Sequence, residues 1–267
     1  MICLKVVIKL GGSLITDKSK PYSFRKEVVI RIAKEIKRAI DEKIDLVVIH
    51  GGGSFGHVEA KRAIDIYGRI SNETISPIAF SMQELNYMMT SILVSNRIKA
   101  VSFPPHSLCV NLCNIGERFS CDLKIVKTAI EKGSVPILFG DIVYGDNFCD
   151  PAIISGDDLA LMIGSYINAE RIIFFTDVDG VFLELGHPET ILKEIRLNEI
   201  DSVIKKASIY NNVVDVTSGL LGKLKKTYQY LSTSSSIKEV WISNGLIEGN
   251  IYNLISGKTV NGTKIIP

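Results

Sequence analysis

A short apolar run rich in Val and Ile, closed by glycine or by Asp-Gly or Asn-Gly, recurs along this chain. It appears as KVVIKLGGS, DLVVIHGGGS, SVPILFGD, RIIFFTDVDG and EVWISNG. Each run is too short for a buried helix and rich in β-branched residues, so it reads as a strand. A helical segment follows most of them. Between the first two, Arg25 to Asp41 carries Val28, Val29, Ile32, Ile36 and Ile40 at helical spacing, with charge on the opposite face. Further helices are expected around 80–100, 122–132 (closed by Gly133), 156–168, 198–208 and 218–232. Strands alternating with helices imply βαβ units. The expected fold is therefore α/β: a mostly parallel sheet covered on both faces, a three-layer αβα sandwich. GDIVYGDNFCDPAIISGD breaks the alternation and reads as a β-hairpin about Gly145 and Asp146, while 101–122 gives no clear element.

With 267 residues, 46% of them hydrophobic, the chain can bury a sizeable core. No repeat, low-complexity tract or Pro/Gly/Ser linker divides it, so one domain over 1–267 is expected. A net charge of +2 offers no nucleic-acid surface, and KLKK and KKTYQYL read as solvated helix faces. Five cysteines, Cys3, Cys109, Cys113, Cys121 and Cys149, are odd in number, form no C-x-x-C pair and have no histidine cluster beside them. They read as buried reduced thiols, with no zinc and no disulfide framework. The N-terminal MICLKVVIKLGG is broken by Lys5 and Lys9 and reads as a first strand rather than a signal peptide. No stretch approaches the roughly 18 uncharged apolar residues of a membrane span. A soluble, cytoplasmic protein is expected.

In a parallel sheet, ligands sit at the carboxyl ends of the strands, where this chain collects its glycines. There glycine lets backbone N–H groups approach phosphate oxygens, and the next helix N-terminus adds partial positive charge. VVIHGGGSFGH invites two familiar readings and satisfies neither. Gly51, Gly53 and Gly56 spell G-x-G-x-x-G, but no strand ending in Asp or Glu follows at roughly 20 residues, as a dinucleotide site requires. Gly51 and Gly56 have Walker A spacing, but His57 and Val58 stand where Lys and Ser/Thr belong. Lysines are available on other segments: Lys9, Lys18 and Lys223.

Together these stretches resemble the amino acid kinase family, most closely its isopentenyl phosphate kinase branch. The likeness runs through KLGGSLITDK at 9–18, HGGGSFGH at 50–57, FGD at 139–141, ISGDDL at 154–159, TDVDGV at 176–181 and DVTSGLLGK at 215–223. The histidine closing the second glycine loop marks the branch; fosfomycin kinases share it, whereas glutamate and acetylglutamate kinases lack it. Ser218 departs from the glycine usual at its place. The resemblance implies an ATP-dependent phosphotransferase acting on isopentenyl phosphate, with Mg²⁺ carried on ATP and no protein metal site. It also implies a homodimer, an acceptor-binding half at about 1–150 and a nucleotide-binding half at about 151–267.

Carried onto residues, the resemblance gives Lys9, Lys18 and His57 as catalytic. Lys9 and Lys18 would neutralise the transferring phosphoryl group, with Gly11, Gly12 and Ser13 as backbone donors. Gly52, Gly53, His57 and Gly156 would hold the acceptor phosphate, Gly53 also facing ATP. Asp157 would order the lysines, and Thr176, Asp177, Gly222 and Lys223 would meet the nucleotide. Ile64, Tyr67, Phe80, Tyr87 and Met88 are candidates for the wall of an apolar tail pocket. His50 reads as a core residue, His106 and His187 as loop residues, and Lys225 and Lys226 as surface charge. Two alternatives remain open: a fosfomycin-type or other small-phosphate kinase of this fold, or a non-catalytic nucleotide- or oxyanion-binding protein.

Overall fold

The computed structural model describes residues 4–17, 19–113, 118–184, 187–210, 216–232 and 237–267. The chain opens with β1 (Lys5–Leu10), α1 (Gly12–Ile15), α2 (Lys26–Ile40), β2 (Asp45–His50), α3 (Gly53–Tyr67) and α4 (Ile75–Ser95). Next come β3 (Ala100–Ser102), β4 (Cys109–Asn111), β5 (Phe119–Cys121), α5 (Lys124–Glu131), β6 (Val135–Phe139), β7 (Asp141–Gly145) and β8 (Ala152–Ile154). It continues through α6 (Gly156–Tyr166), β9 (Arg171–Thr176), β10 (Glu194–Arg196), α7 (Ile200–Tyr210) and α8 (Val216–Leu231). β11 (Glu239–Asn244), α9 (Asn250–Ile255) and β12 (Gly262–Ile266) close it.

The main sheet runs β10-β12-β11-β9-β1-β2-β6-β3 and is parallel at every pairing except β11 with β12. Its strands read as unbroken apolar runs because both faces are covered. Successive side chains point to opposite faces, and each strand feeds two cores. Val7, Val47, Ile49, Ile172, Phe174, Val240 and Ile242 pack with α5, α6, α7 and α8. Val6, Ile8, Leu46, Val48, Ile173, Phe175 and Trp241 pack with α2, α4 and α9. This is the three-layer αβα sandwich expected from the alternation. Truncating one of these fully buried side chains, Phe174→Ala for instance, costs about 3–5 kcal/mol.

A second sheet, β5-β4-β7-β8, leaves the main one at the end of β6, with Gly140 alone between β6 and β7. β7 and β8 form the hairpin read from the sequence, Asp141 opposite Ile154. The cysteine expectation is overturned here. Cys109 and Cys121 face each other across antiparallel β4 and β5, their Cα atoms 4.0 Å apart, and are joined as a disulfide. Cys113 and Cys149 form another, tying the end of β4 to the β7–β8 turn. Strand pairing brings together cysteines whose sequence spacing shows no framework; Cys3 lies outside the described residues.

Candidate active site

Register sets the site. Leu10 pairs with His50 on one side and Phe175 on the other, and His50 pairs with Phe139, so these strands end at one level. The ladder runs one residue further: Gly11 N–H donates to Phe175 O at 2.8 Å, Gly51 to Leu10 at 2.9 Å and Gly140 to His50 at 3.0 Å. The two glycine loops then touch backbone to backbone. A Cβ on Gly12 would lie 2.5 Å from Gly53 N, and one on Gly53, whose φ is +49°, would lie 2.1 Å from Thr16 Oγ1. Thr16 Oγ1 also accepts the Ser54 N–H at 3.0 Å, locking the start of α3 to the first loop.

Lys9 shares the sheet face of Val7, so its side chain runs toward α6. There its Nζ lies 2.9 Å from Asp157 Oδ1, and Lys223 Nζ lies 3.1 Å from Asp157 Oδ2. Gly156 makes room: a Cβ there would sit 3.2 Å from His50 O and 3.3 Å from Lys9 Cε. Burial pushes the Asp157 carboxyl up, but the two ammonium groups outweigh it and hold the group well below the usual carboxylate range. Burial, together with the neighbouring Lys9 charge, lowers the Lys223 pKa. Asp157 is not the helix cap. Ser155 caps α6 by accepting the Asp158 N–H at 3.1 Å, while Asp158 Oδ2 accepts the Ser155 hydroxyl at 2.6 Å. Lys226, read as surface charge, instead donates to Ser155 Oγ at 2.9 Å and Asp158 Oδ2 at 2.7 Å.

These groups open onto a cavity of about 960 Å³. Lys9, Gly11, Gly12, Ser13, Gly52, Gly53, His57, Gly156, Asp157, Thr176, Asp177 and Lys223 all line it. Ser13 Oγ donates to Asp177 Oδ1 at 2.7 Å, joining the first loop to the end of β9. His57 is exposed in the opening turns of α3, at the cavity mouth. Gly222 precedes Lys223 on α8 but is not on the wall. Lys18 and the Ser218 side chain lie outside the described residues. His50 is fully buried, its ring nitrogens 3.1 Å from Gly51 O and 3.3 Å from Asn86 Oδ1; burial pushes it down to about 4.

The tail-pocket candidates fail. Ile64, Tyr67, Phe80 and Tyr87 point to solvent, and Met88 packs on the α2–α4–α9 core. The apolar wall is made by Ala60, Ile78, Met82 and Ile153, with Ala63, Ile75, Ile78, Ala79 and Ile142 packing α3, α4 and β7 around it. α4 is apolar on more than one face, so periodicity alone does not show which side turns inward. His187 and His106 are loop residues as expected, and both bear on the cavity. His187 lines the cavity, and His106 is hydrogen-bonded to buried Asp141, itself a lining residue.

Residues 5–242 match the model of the amino acid kinase family. The chain is 34% identical over 270 residues to the isopentenyl phosphate kinase of Methanocaldococcus jannaschii, covering 97% of each protein. Among solved structures, an isopentenyl phosphate kinase superposes with a TM-score of 0.79 at 28% identity, covering 98% of this chain and 100% of that one. A substrate complex of isopentenyl phosphate kinase superposes at 0.73 and 25% identity, covering 98% and 99%.

Proposed function

This chain belongs to the amino acid kinase family, and from that premise we propose that it transfers the γ-phosphoryl group of ATP to isopentenyl phosphate, forming isopentenyl diphosphate. The observation that carries this reading is the pair of ammonium groups, Lys9 and Lys223, on one carboxylate at the floor of a glycine-rimmed cavity with an apolar wall.

Phosphoryl transfer depends chiefly on positioning and charge neutralisation. An acceptor phosphate oxygen attacks the γ-phosphorus while the bond to the ADP oxygen breaks. The acceptor is already ionised, its second pKa being about 6, so no general base is required. Lys9, its ammonium beside Asp157 on the cavity wall, offsets the repulsion between two anions. Lys223 and the backbone donors near Ser13 and Asp177 hold the nucleotide phosphates. His57 donates to the acceptor phosphate, and a dianion beside it favours the imidazolium. Lys18, outside the described residues, keeps the charge-neutralising role that the resemblance implies for it.

Asp157 keeps both lysines aimed and charged. Among the described residues no cluster of His, Cys, Asp or Glu could hold a metal ion. The residues suit a Mg²⁺ that arrives on ATP and screens its phosphate charge, with the lysines and loop N–H groups taking the remaining oxygens. In this arrangement the chain up to about 150 holds the acceptor, and 151–267 holds ATP.

Phe80, Tyr87 and Val94 form a heptad-spaced stripe on the outer face of α4, exposed by 71, 74 and 53%. That stripe is the contact of a homodimer, checked by light scattering. No helix among the described residues is long and apolar enough to cross a membrane. The reading also takes the protein as cytoplasmic, where ATP is available, and cell fractionation tests it.

The test is ADP release with isopentenyl phosphate, fosfomycin, glutamate and UMP, run on wild type and His57→Ala. Isopentenyl phosphate should react fastest. His57→Ala should lose about ten- to hundred-fold in acceptor kcat/KM, the scale of a charge-assisted hydrogen bond. Fosfomycin outrunning isopentenyl phosphate would move the acceptor assignment, and activity on none would favour a binding protein.

A further inference from the structure

His106 sits in a single 3₁₀ turn, Pro105–Ser107, outside every motif used above. Its Nδ1 lies 2.6 Å from Asp141 Oδ2, and its backbone N–H donates to the same oxygen at 3.1 Å. The other carboxylate oxygen accepts the Ile142 N–H at 2.9 Å. His106 Nε2 lies 3.1 Å from Nε2 of Gln83, the neighbour of Met82 on α4; with the amide turned over, its oxygen accepts the Nε2–H of an imidazolium. Asp141 is 1% exposed and lines the same cavity as His57 and Gly156.

A buried carboxylate beside a phosphate site is unfavourable on two counts. Burial penalises its charge, and that charge repels an anionic acceptor. Protonated His106 relieves both. The groups facing His106 are Asp141 from β7 and Gln83 from α4; the charged or titratable groups sharing the cavity wall with Asp141 are Lys9, His57, Asp157, Asp177, His187 and Lys223. The hydrogen bond to Asp141 raises the His106 pKa against the opposing effect of burial.

We propose that His106 is a positioning residue for the acceptor: as an imidazolium paired with Asp141 it makes an anionic wall neutral, and its contact with Gln83 fixes the turn of α4 that carries Met82. This rests on the cavity being the isopentenyl phosphate site. As pH rises through the folded pKa of His106 the wall regains its charge, so acceptor KM should rise while the Mg-ATP KM holds.

The test separates charge from structure. His106→Gln keeps a donor for Asp141 but carries no charge, and should raise the isopentenyl phosphate KM about tenfold at neutral pH. Its kcat and Mg-ATP KM should stay within about threefold. His106→Gln/Asp141→Asn, with neither partner charged, should bring the acceptor KM back to within about threefold of wild type. A double variant no better than the single one, or equal rises in both KM values, overturns the proposal. Should His106→Gln fail to fold, Asp141→Asn replaces it: the alkaline rise in acceptor KM must be present in wild type and absent there. Wild type that does not phosphorylate isopentenyl phosphate refutes the substrate reading instead. The same ordering is then required of calorimetric affinities for inorganic phosphate, and its absence overturns the role of His106.

Discussion

Lys9 and Lys223, on the first strand and on a helix near the other end of the chain, hold the two oxygens of one carboxylate. Lys9 Nζ is 2.9 Å from Asp157 Oδ1 and Lys223 Nζ is 3.1 Å from Oδ2. The carboxylate allows two like charges to be kept close together in a largely buried place. Removing either lysine changes what Asp157 can hold as well as what phosphate can be bound. Lys223→Ala should chiefly weaken nucleotide binding, by about 1.5–3 kcal/mol for a lost charged hydrogen bond. Calorimetry with Mg-ATP checks it; unaltered affinity would show that the nucleotide is held elsewhere.

The contact between the glycine loops sets a stricter constraint. A Cβ on Gly12 would fall 2.5 Å from Gly53 N, where backbone meets backbone and no flexible side chain can give way. Gly12→Ala should force the loops apart. Overpacking of this kind costs typically about 1–3 kcal/mol, so the fold should survive with a lowered melting temperature. Turnover should fall much more, because a misplacement of about 1 Å can cost about a hundredfold in positioning. Parallel thermal melts and ADP-release rates decide it, and normal turnover would contradict the loop assignment.

This contact shows why so much of the site was legible in the sequence. Glycines clustered at strand ends are a backbone requirement, and Gly11, Gly12, Gly52, Gly53 and Gly156 do line one cavity. Lys9 came from the family resemblance of KLGGSLITDK, and strand alternation explains its direction, since it shares the face of Val7 while Val6 enters the opposite core. What stayed hidden depends on contacts between distant segments. The sequence leaves the phase of α4 ambiguous: Phe80 and Tyr87, candidates for the tail pocket, face outward, whereas Ile78 and Met82 line the cavity. The cysteine pairs and the His106–Asp141 pair arise from the second sheet, whose short strands β4 and β5 leave almost no periodic signal.

The corrected apolar wall gives its own prediction. Ile78 lines the cavity and is 2% exposed, whereas Tyr87 is 74% exposed on the opposite side of α4. Ile78→Ala should raise the kcat/KM of geranyl phosphate relative to isopentenyl phosphate, because space opens beyond the short tail. Each methylene newly buried contributes about 0.8 kcal/mol. Tyr87→Ala should leave that ratio alone. A change with Tyr87→Ala and none with Ile78→Ala would restore the outward-facing pocket.

His50 makes stability depend on pH. Its folded pKa is depressed from 6.5 to about 4 by burial, so below pH 6.5 the unfolded chain binds the proton more tightly than the folded one. The stabilisation is complete above the unfolded value and is lost as pH falls toward 4, about 3 kcal/mol in all. His50→Gln, which can keep one hydrogen bond, should flatten that part of the curve. Urea unfolding at a series of pH values measures it, and equal slopes in both proteins would contradict the assignment.

The central claim is the reaction itself, and phosphorus NMR of a single reaction mixture tests it most directly. With purified protein, Mg-ATP and isopentenyl phosphate, the acceptor's monophosphate signal should disappear in step with the γ-phosphorus of ATP. Two mutually coupled signals of a new diphosphate ester should grow alongside those of ADP. If ATP is consumed while the monophosphate signal stays intact, or if neither changes, isopentenyl phosphate is not the acceptor.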